Sequence, residues 1–264
     1  MILDKAAAVL KKDFLTAIRY RNGLVLSAVA PTVQLATFYY LSRSVGPQFR
    51  PEGMPYFLFL LIGTGLFTFL LAGMHSFLRI IQECQQTGTI EVLMTTATPP
   101  AALLVLSAMS AFVAGAVQLL LYVGGGIVIF RPAIQIHWLP ALLVLVFSII
   151  VCVAIGIFAA ALQVLMHKGT VVLWLFGSSA WVLAGTLFPV AALPRPVQML
   201  SQCLPLTHSL SAMRMALSPS HFSPLLGREI AILLLFSAAL LPLSVGFFSW
   251  TVGRARQCGT LSFY

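Results

Sequence analysis

Six stretches of this chain run without a charged residue for long enough to cross a lipid bilayer: residues 22–42, 53–78, 92–130, 132–167, 169–194 and 230–253. An α-helix needs roughly 20 residues to traverse a hydrocarbon core about 30 Å thick. A β-barrel would show alternating segments of about 10 residues instead of continuous apolar runs. No water satisfies backbone groups inside the core, so spanning helices are the form these runs predict. The chain is 60% hydrophobic and 8% charged, against roughly 45–50% and about 25% in a soluble domain. That excludes a soluble fold and predicts one all-α membrane domain over residues 1–264 with six transmembrane helices.

The net charge is +9. The basic residues lie between the runs rather than in one patch, which suits anionic headgroups and topology more than nucleic acid. With alternating sides, Lys5, Lys11, Lys12, Arg19, Arg21, Arg79, Lys168, Arg254 and Arg256 share one face of the membrane. Arg43, Arg50, Arg131, Arg195, Arg214 and Arg228 share the other. The excess of the first set places both termini in the cytoplasm. The charged first 21 residues hold no apolar core of the kind a cleavable signal peptide has. Of Cys84, Cys152, Cys203 and Cys258, that topology puts only Cys203 outside, so no intramolecular disulfide is expected.

Leu3, Ala7, Leu10, Phe14 and Ile18 recur at helical spacing between Lys5, Lys11, Lys12 and Asp13. Residues 1–21 thus read as an amphipathic helix lying in the interface before the first span. Thr98-Pro99-Pro100 reads as the start of the third span, with Thr98 as cap. Between the fifth and sixth spans, residues 186–228 contain Pro189, Pro194, Pro196, Pro205, Pro219 and Pro224. The apolar pieces between these prolines are too short to span, which predicts re-entrant or interfacial helices on the outer side.

The usual catalytic signatures are missing. There is no phosphate-binding G-x-x-x-x-G-K-[ST] loop and no nucleophile elbow. His75, His137, His167, His208 and His221 are scattered without metal-ligand spacing. No Asp, Glu, Lys or Arg falls in the core of any span, where ion-driven carriers and intramembrane enzymes place such groups. No enzyme activity, metal or cofactor is expected on the chain itself.

One segment on the cytoplasmic side, residues 79–98, reads Glu83-Cys84-Gln85-Gln86-Thr87-Gly88-Thr89-Ile90-Glu91-Val92-Leu93 before Thr98-Pro99. Gly88 breaks a short helix and Thr89 caps the next, with Glu91 in its favourable first turn. By spacing alone this is equally an ordinary surface loop. The pattern resembles the E-x-x-x-x-G-T-x-E-x-L-x-x-x-P signature of type-2 ATP-binding-cassette exporter permeases, with the proline displaced by a residue or two and Cys84–Gln86 replacing a commonly charged run. Gly185-Thr186-Leu187-Phe188-Pro189, Leu193-Pro194, Gln198 and Pro205-Leu206-Thr207-His208 through Arg214 resemble the same family's outer G-x-x-F-P…L-P…P-L-T-H…R run.

The resemblance implies a permease subunit that works as two copies with two ATPase subunits, which would bind the ATP and Mg. It makes Glu83, Gly88, Thr89, Glu91 and Leu93 the helix that docks on the ATPase. It makes Phe188, Pro189, Pro194, Pro205, Leu206, Thr207, His208 and Arg214 an outer gate. The first, second and fifth spans would face the dimer axis, offering Gln34, Thr37, Phe67, Thr68, Trp174, Ser178 and Trp181 as a pathway lining. His75 and Gln163 lie near the ends of their spans. A largely apolar, aromatic lining suits a drug-like compound, lipid or lipid-linked saccharide, in a bacterial plasma or inner membrane. A carrier or channel acting alone, or a scaffold or sensor that moves no cargo, are the competing readings.

Overall fold

A computed structural model describes residues 21–88, 100–130, 137–166, 168–218 and 224–258. Among the described residues all regular structure is helical, with no strand. The elements are α1 (Arg21–Val45), α2 (Tyr56–Gln86), α3 (Pro100–Phe130), α4 (Trp138–Met166), α5 (Gly169–Leu183), α6 (Arg195–Gln202), α7 (Pro205–Ala216) and α8 (Pro224–Cys258). Single 3-10 turns occupy Pro51–Gly53 and Val190–Ala192. The N-terminal interfacial helix expected over residues 1–21 lies outside the described residues, apart from Arg21.

Among the described residues, four helices are long and apolar enough to cross a bilayer: α2, α3 from Leu104, α4, and α8 as far as Ala255. α5 is apolar but only 15 residues long, about 22 Å at 1.5 Å per residue. The uncharged run 169–194 thus breaks well before its end. Gly185 turns the chain with a φ of +73°, and Pro189 and Pro194 prevent the helix from resuming. α2 errs the other way: its 31 residues reach about 46 Å, beyond a 30 Å core. Glu83–Gln86 is therefore the last turn of this long helix, not a separate short helix. Gly88, at φ +66°, ends it, as expected of a left-handed residue past a helix C-terminus.

α2 is the hub of the bundle. In its most apolar stretch 83% of residues are buried, against 11% in α3 and 17% in α8. Leu58, Phe59, Leu60, Leu61, Leu70, Met74 and Phe77 have no exposed surface. A helix apolar on every side is one enclosed by others. α3, α4 and α7 pack around α2, and α8 lies along α4. A second, smaller core gathers Phe77, Leu104, Ile157 and Phe248 from α2, α3, α4 and α8. Leu120, Leu121 and Val128 of α3 and Leu235 and Leu243 of α8 point outward with most of their surface free, the arrangement lipid solvates. Van der Waals packing, rather than the hydrophobic effect, joins such helices.

Candidate functional site

The proline-rich segment after α5 folds back on the bundle end formed by the α1–α2 loop. Pro194 stands just before α6, and Pro205 occupies the first turn of α7, where a missing N–H is harmless. Ser201 Oγ donates to Leu183 O at 2.6 Å, and Thr207 Oγ1 donates to Ser201 O at 2.7 Å. Gln198 Nε2 donates to Leu193 O at 2.6 Å. Tyr56 OH at the start of α2 donates to Leu187 O at 3.0 Å. Phe188 and Pro189 remain half-buried between these ties. α7 is enclosed nearly throughout, with Leu206, Thr207, Leu210 and Arg214 all buried. On α6 the polar Ser201 is buried while Met199 and Leu200 are exposed, the inverse of a water-facing helix.

Arg214 is the keystone of this segment. Its side chain is 1% exposed, although the sequence counts it among the loop charges that face headgroups. Its Nη2 donates to Gly185 O at 2.9 Å, Thr186 O at 3.2 Å and Phe59 O at 3.4 Å. The guanidinium carbon lies 3.5 Å from the centre of the Phe59 ring, within cation–π range, and Nη1 is 3.9 Å from Glu52 Oε1. Gly63 makes the room: any Cβ there would overlap Arg214 Nη2. Burial lowers the Arg214 pKa to about 10, with the Glu52 carboxylate opposing that fall, so the group stays cationic at neutral pH. Burial raises the Glu52 carboxyl above its usual range, with Arg214 pulling the other way and Glu229 adding to the rise.

His208 lies across the same chamber, an open space of about 870 Å³ that also borders Glu52, Gln202, Ser211 and Glu229. Its Nδ1 is 2.6 Å from Glu229 Oε2, and its Nε2 is 2.8 Å from Gln202 O. Both partners are acceptors, so a ring protonated on both nitrogens satisfies both contacts. Burial alone would lower its pKa. The Glu229 and Gln202 hydrogen bonds and the Glu229 charge outweigh that effect and the repulsion from Arg228, leaving it raised. The predicted gate residues Thr207, His208 and Arg214 thus converge on one chamber with Glu52 and Glu229, two acids the sequence does not single out.

At the opposite end of α2, Glu83 is exposed and Gly88 follows the helix cap. Thr89, Glu91 and Leu93, like Thr98 and Pro99, lie outside the described residues. Beside Glu83 a buried amide chain joins three elements. Gln163 Nε2 of α4 donates to Gln85 Oε1 of α2 at 3.2 Å, and Gly169 N at the start of α5 donates to Gln163 Oε1 at 3.0 Å. Gln82 Nε2 donates to Thr170 Oγ1 at 2.7 Å.

The seven expected lining residues do not share one surface. Phe67 is in the core, edge-on to Trp181 at 5.0 Å. Trp174 and Ser178 stand exposed on α5, with Ser178 Oγ donating to Trp174 O at 2.7 Å. Gln34 and Thr68 meet at a cleft of about 410 Å³ between α1, α2 and α3. Thr37, three residues along α1 from Gln34, is exposed and donates to Val33 O at 2.9 Å. The cleft also takes in Thr64, Gln118 and Tyr122, which sequence reading missed. A search for neutral polar side chains in mid-span would have found them.

Among the described residues no His, Cys, Asp and Glu side chains cluster in a way that would hold a metal ion. The sequence model of the ABC-2 type transporter family matches residues 5–218, a stretch that includes α1 to α7. No curated protein matches the chain.

Proposed function

The chain belongs to the ABC-2 type transporter family, as an integral multi-pass permease, and from that premise we propose that it is the membrane subunit of an ATP-driven exporter. In this reading six helices span the membrane, with α1 and α5 joining the four long apolar ones. Two copies assemble with two ATPase subunits that bind ATP and Mg, in a bacterial plasma or inner membrane with both termini cytoplasmic. Residues 79–98 dock on the ATPase, and residues 186–228 form a re-entrant outer gate. ATP-driven closure of the motor pushes on the docking segment, and the spans alternate between inward- and outward-open forms. The cargo is a hydrophobic or amphiphilic compound, lipid or lipid-linked saccharide.

The observation that carries the reading is the distribution of charge. The apolar helix cores hold no Asp, Glu, Lys or Arg, so no intramembrane carboxylate or cationic side chain of the kind that ion-driven carriers use is present there. The strongest charged cluster gathers instead where the proline-rich segment meets the α1–α2 loop and the start of α8, which supports a gate that opens and closes while energy enters elsewhere. Reconstitution with a co-purifying ATP-binding-cassette ATPase tests this. Glu91→Ala is expected to leave the chain folded and ATP hydrolysis intact while abolishing ATP-dependent export. Export that survives in that variant, or flux that needs no ATPase, overturns the proposal.

A further inference from the structure

The cleft between α1, α2 and α3 holds three polar side chains that make no hydrogen bond among the described residues: Gln34, half-buried, and Thr68 and Gln118, both exposed. Each lies near the middle of its helix, where an unpaired polar group against lipid tails costs free energy. A fourth group is polarised toward the same space. Thr64 Oγ1 donates to Leu60 O at 2.6 Å, so the 3.1 Å contact with Tyr122 OH is made by the tyrosine proton. The phenol oxygen is then left as a free acceptor beside the amides of Gln34 and Gln118. Gly65 keeps the α2–α3 wall narrow, since a Cβ there would stand 3.1 Å from both Leu119 and Tyr122.

We propose that this cleft is a binding site for the uncharged, hydrogen-bonding head of an amphiphile, such as a hydroxylated or amide group carried on an apolar tail. Two amides and two hydroxyls offer donors and acceptors in one place. None of the residues around it carries a charge, so an ionic head would lose its hydration with no counter-charge in return. The remaining wall, including Pro31, Phe69 and Leu119, is apolar and receives the start of the tail. This deepens the reading of the chain as a permease for amphiphiles and rests on it.

The test uses the full chain alone in phospholipid vesicles, so that its failure leaves ATPase coupling and export unaffected. Cys84, Cys152, Cys203 and Cys258 are replaced by Ala, and Gln118→Cys or Thr68→Cys is introduced. A neutral, water-soluble maleimide is expected to label both positions faster than Leu120→Cys and Leu121→Cys, on the lipid face of α3, where no water supports formation of the reactive thiolate. Octyl glucoside below its solubilising concentration is expected to slow labelling at 118 and 68 several-fold. Octyl sulfate and octyl trimethylammonium, with the same tail and a charged head, are expected not to. Tyr122→Phe is expected to weaken the protection by the glucoside. No labelling at either position, no protection by the glucoside, or equal protection by all three amphiphiles overturns the proposal. The last result would identify tail partitioning in place of head recognition.

Discussion

His208 and Glu229 join α7 to α8 through a 2.6 Å contact between Nδ1 and Oε2, while the other ring nitrogen faces the Gln202 carbonyl. One side chain thus closes the proline-rich segment onto the last long helix and back onto α6. Because both ring nitrogens face oxygen, the closure is strongest when the imidazole is charged.

The sign of the pH dependence follows. A folded-state pKa above the ordinary 6.5 means the folded chain holds this proton more tightly than the unfolded one. The stabilisation is complete below pH 6.5 and is lost as pH rises through the raised value. Thermal unfolding in detergent across this range is expected to separate wild type from His208→Gln on the acid side and to bring them together on the alkaline side. Glu229→Gln should flatten the wild-type profile. Arg228, Glu52 and Arg214 share the neighbourhood, so the variants are compared at fixed ionic strength.

Arg214 and Gly63 form a pair in which one residue exists to admit the other. Arg214→Ala leaves the Gly185, Thr186 and Phe59 carbonyls without their guanidinium donor, at about 1–3 kcal/mol for a buried group left unsatisfied, while the 3.9 Å contact with the more exposed Glu52 adds little. Gly63→Ala is expected to destabilise by displacing the guanidinium. In an Arg214→Ala background the same alanine meets less resistance. The double variant should therefore be more stable than the sum of the singles by about 0.5–3 kcal/mol, the usual range for coupled neighbours. Additive effects would show that Gly63 is needed for the backbone rather than for Arg214.

Gln163 supplies both a donor and an acceptor to the amide chain beside Glu83. Gln163→Leu leaves Gln85 Oε1 and the Gly169 amide unpaired, at about 1–3 kcal/mol for each orphaned group. Hydrogen exchange at the Gly169 amide should accelerate in this variant and remain slow in Cys203→Ser, whose side chain is exposed and distant in sequence. An unchanged rate at Gly169 would remove the amide chain from the account of how α2, α4 and α5 are held.

Tyr56→Phe removes one hydroxyl and little else. The lost bond to Leu187 O is worth about 0.5–1.5 kcal/mol. Exchange should speed up locally around residues 185–189, with the α2 core unaffected, which distinguishes a tie on the outer turn from a general packing defect.

The architecture was legible wherever it depends on local chemistry. Apolar runs announced α2, α3, α4 and α8, and Pro100 marked the start of α3. Absence of charge alone overstates helix length. The run 169–194 carries no charge, yet Gly185 stops α5 after 15 residues, because backbone conformation ends a helix as firmly as polarity does. The chamber around Arg214 and His208 was legible only in part. Thr207, His208 and Arg214 were named, but their partners Glu52 and Glu229 lie at sequence distances that no motif spans. Of the lining residues, Gln34 and Thr68 came together, whereas Phe67 turned into the core and Trp174 outward.

The sequence by itself determined that this chain lives in a membrane, which segments are helices of apolar character, and that one proline-rich stretch is not a span. Insertion into lipid is a sum over neighbouring residues, so a window of sequence suffices to judge it. Only the tertiary structure decided that Arg214 is buried and held by Phe59, 155 residues away. It likewise decided that neutral side chains from three helices open onto one cleft. In a bilayer apolar faces scarcely discriminate between lipid and protein, so the choice of neighbour falls to close packing and to the few polar groups that must find one another.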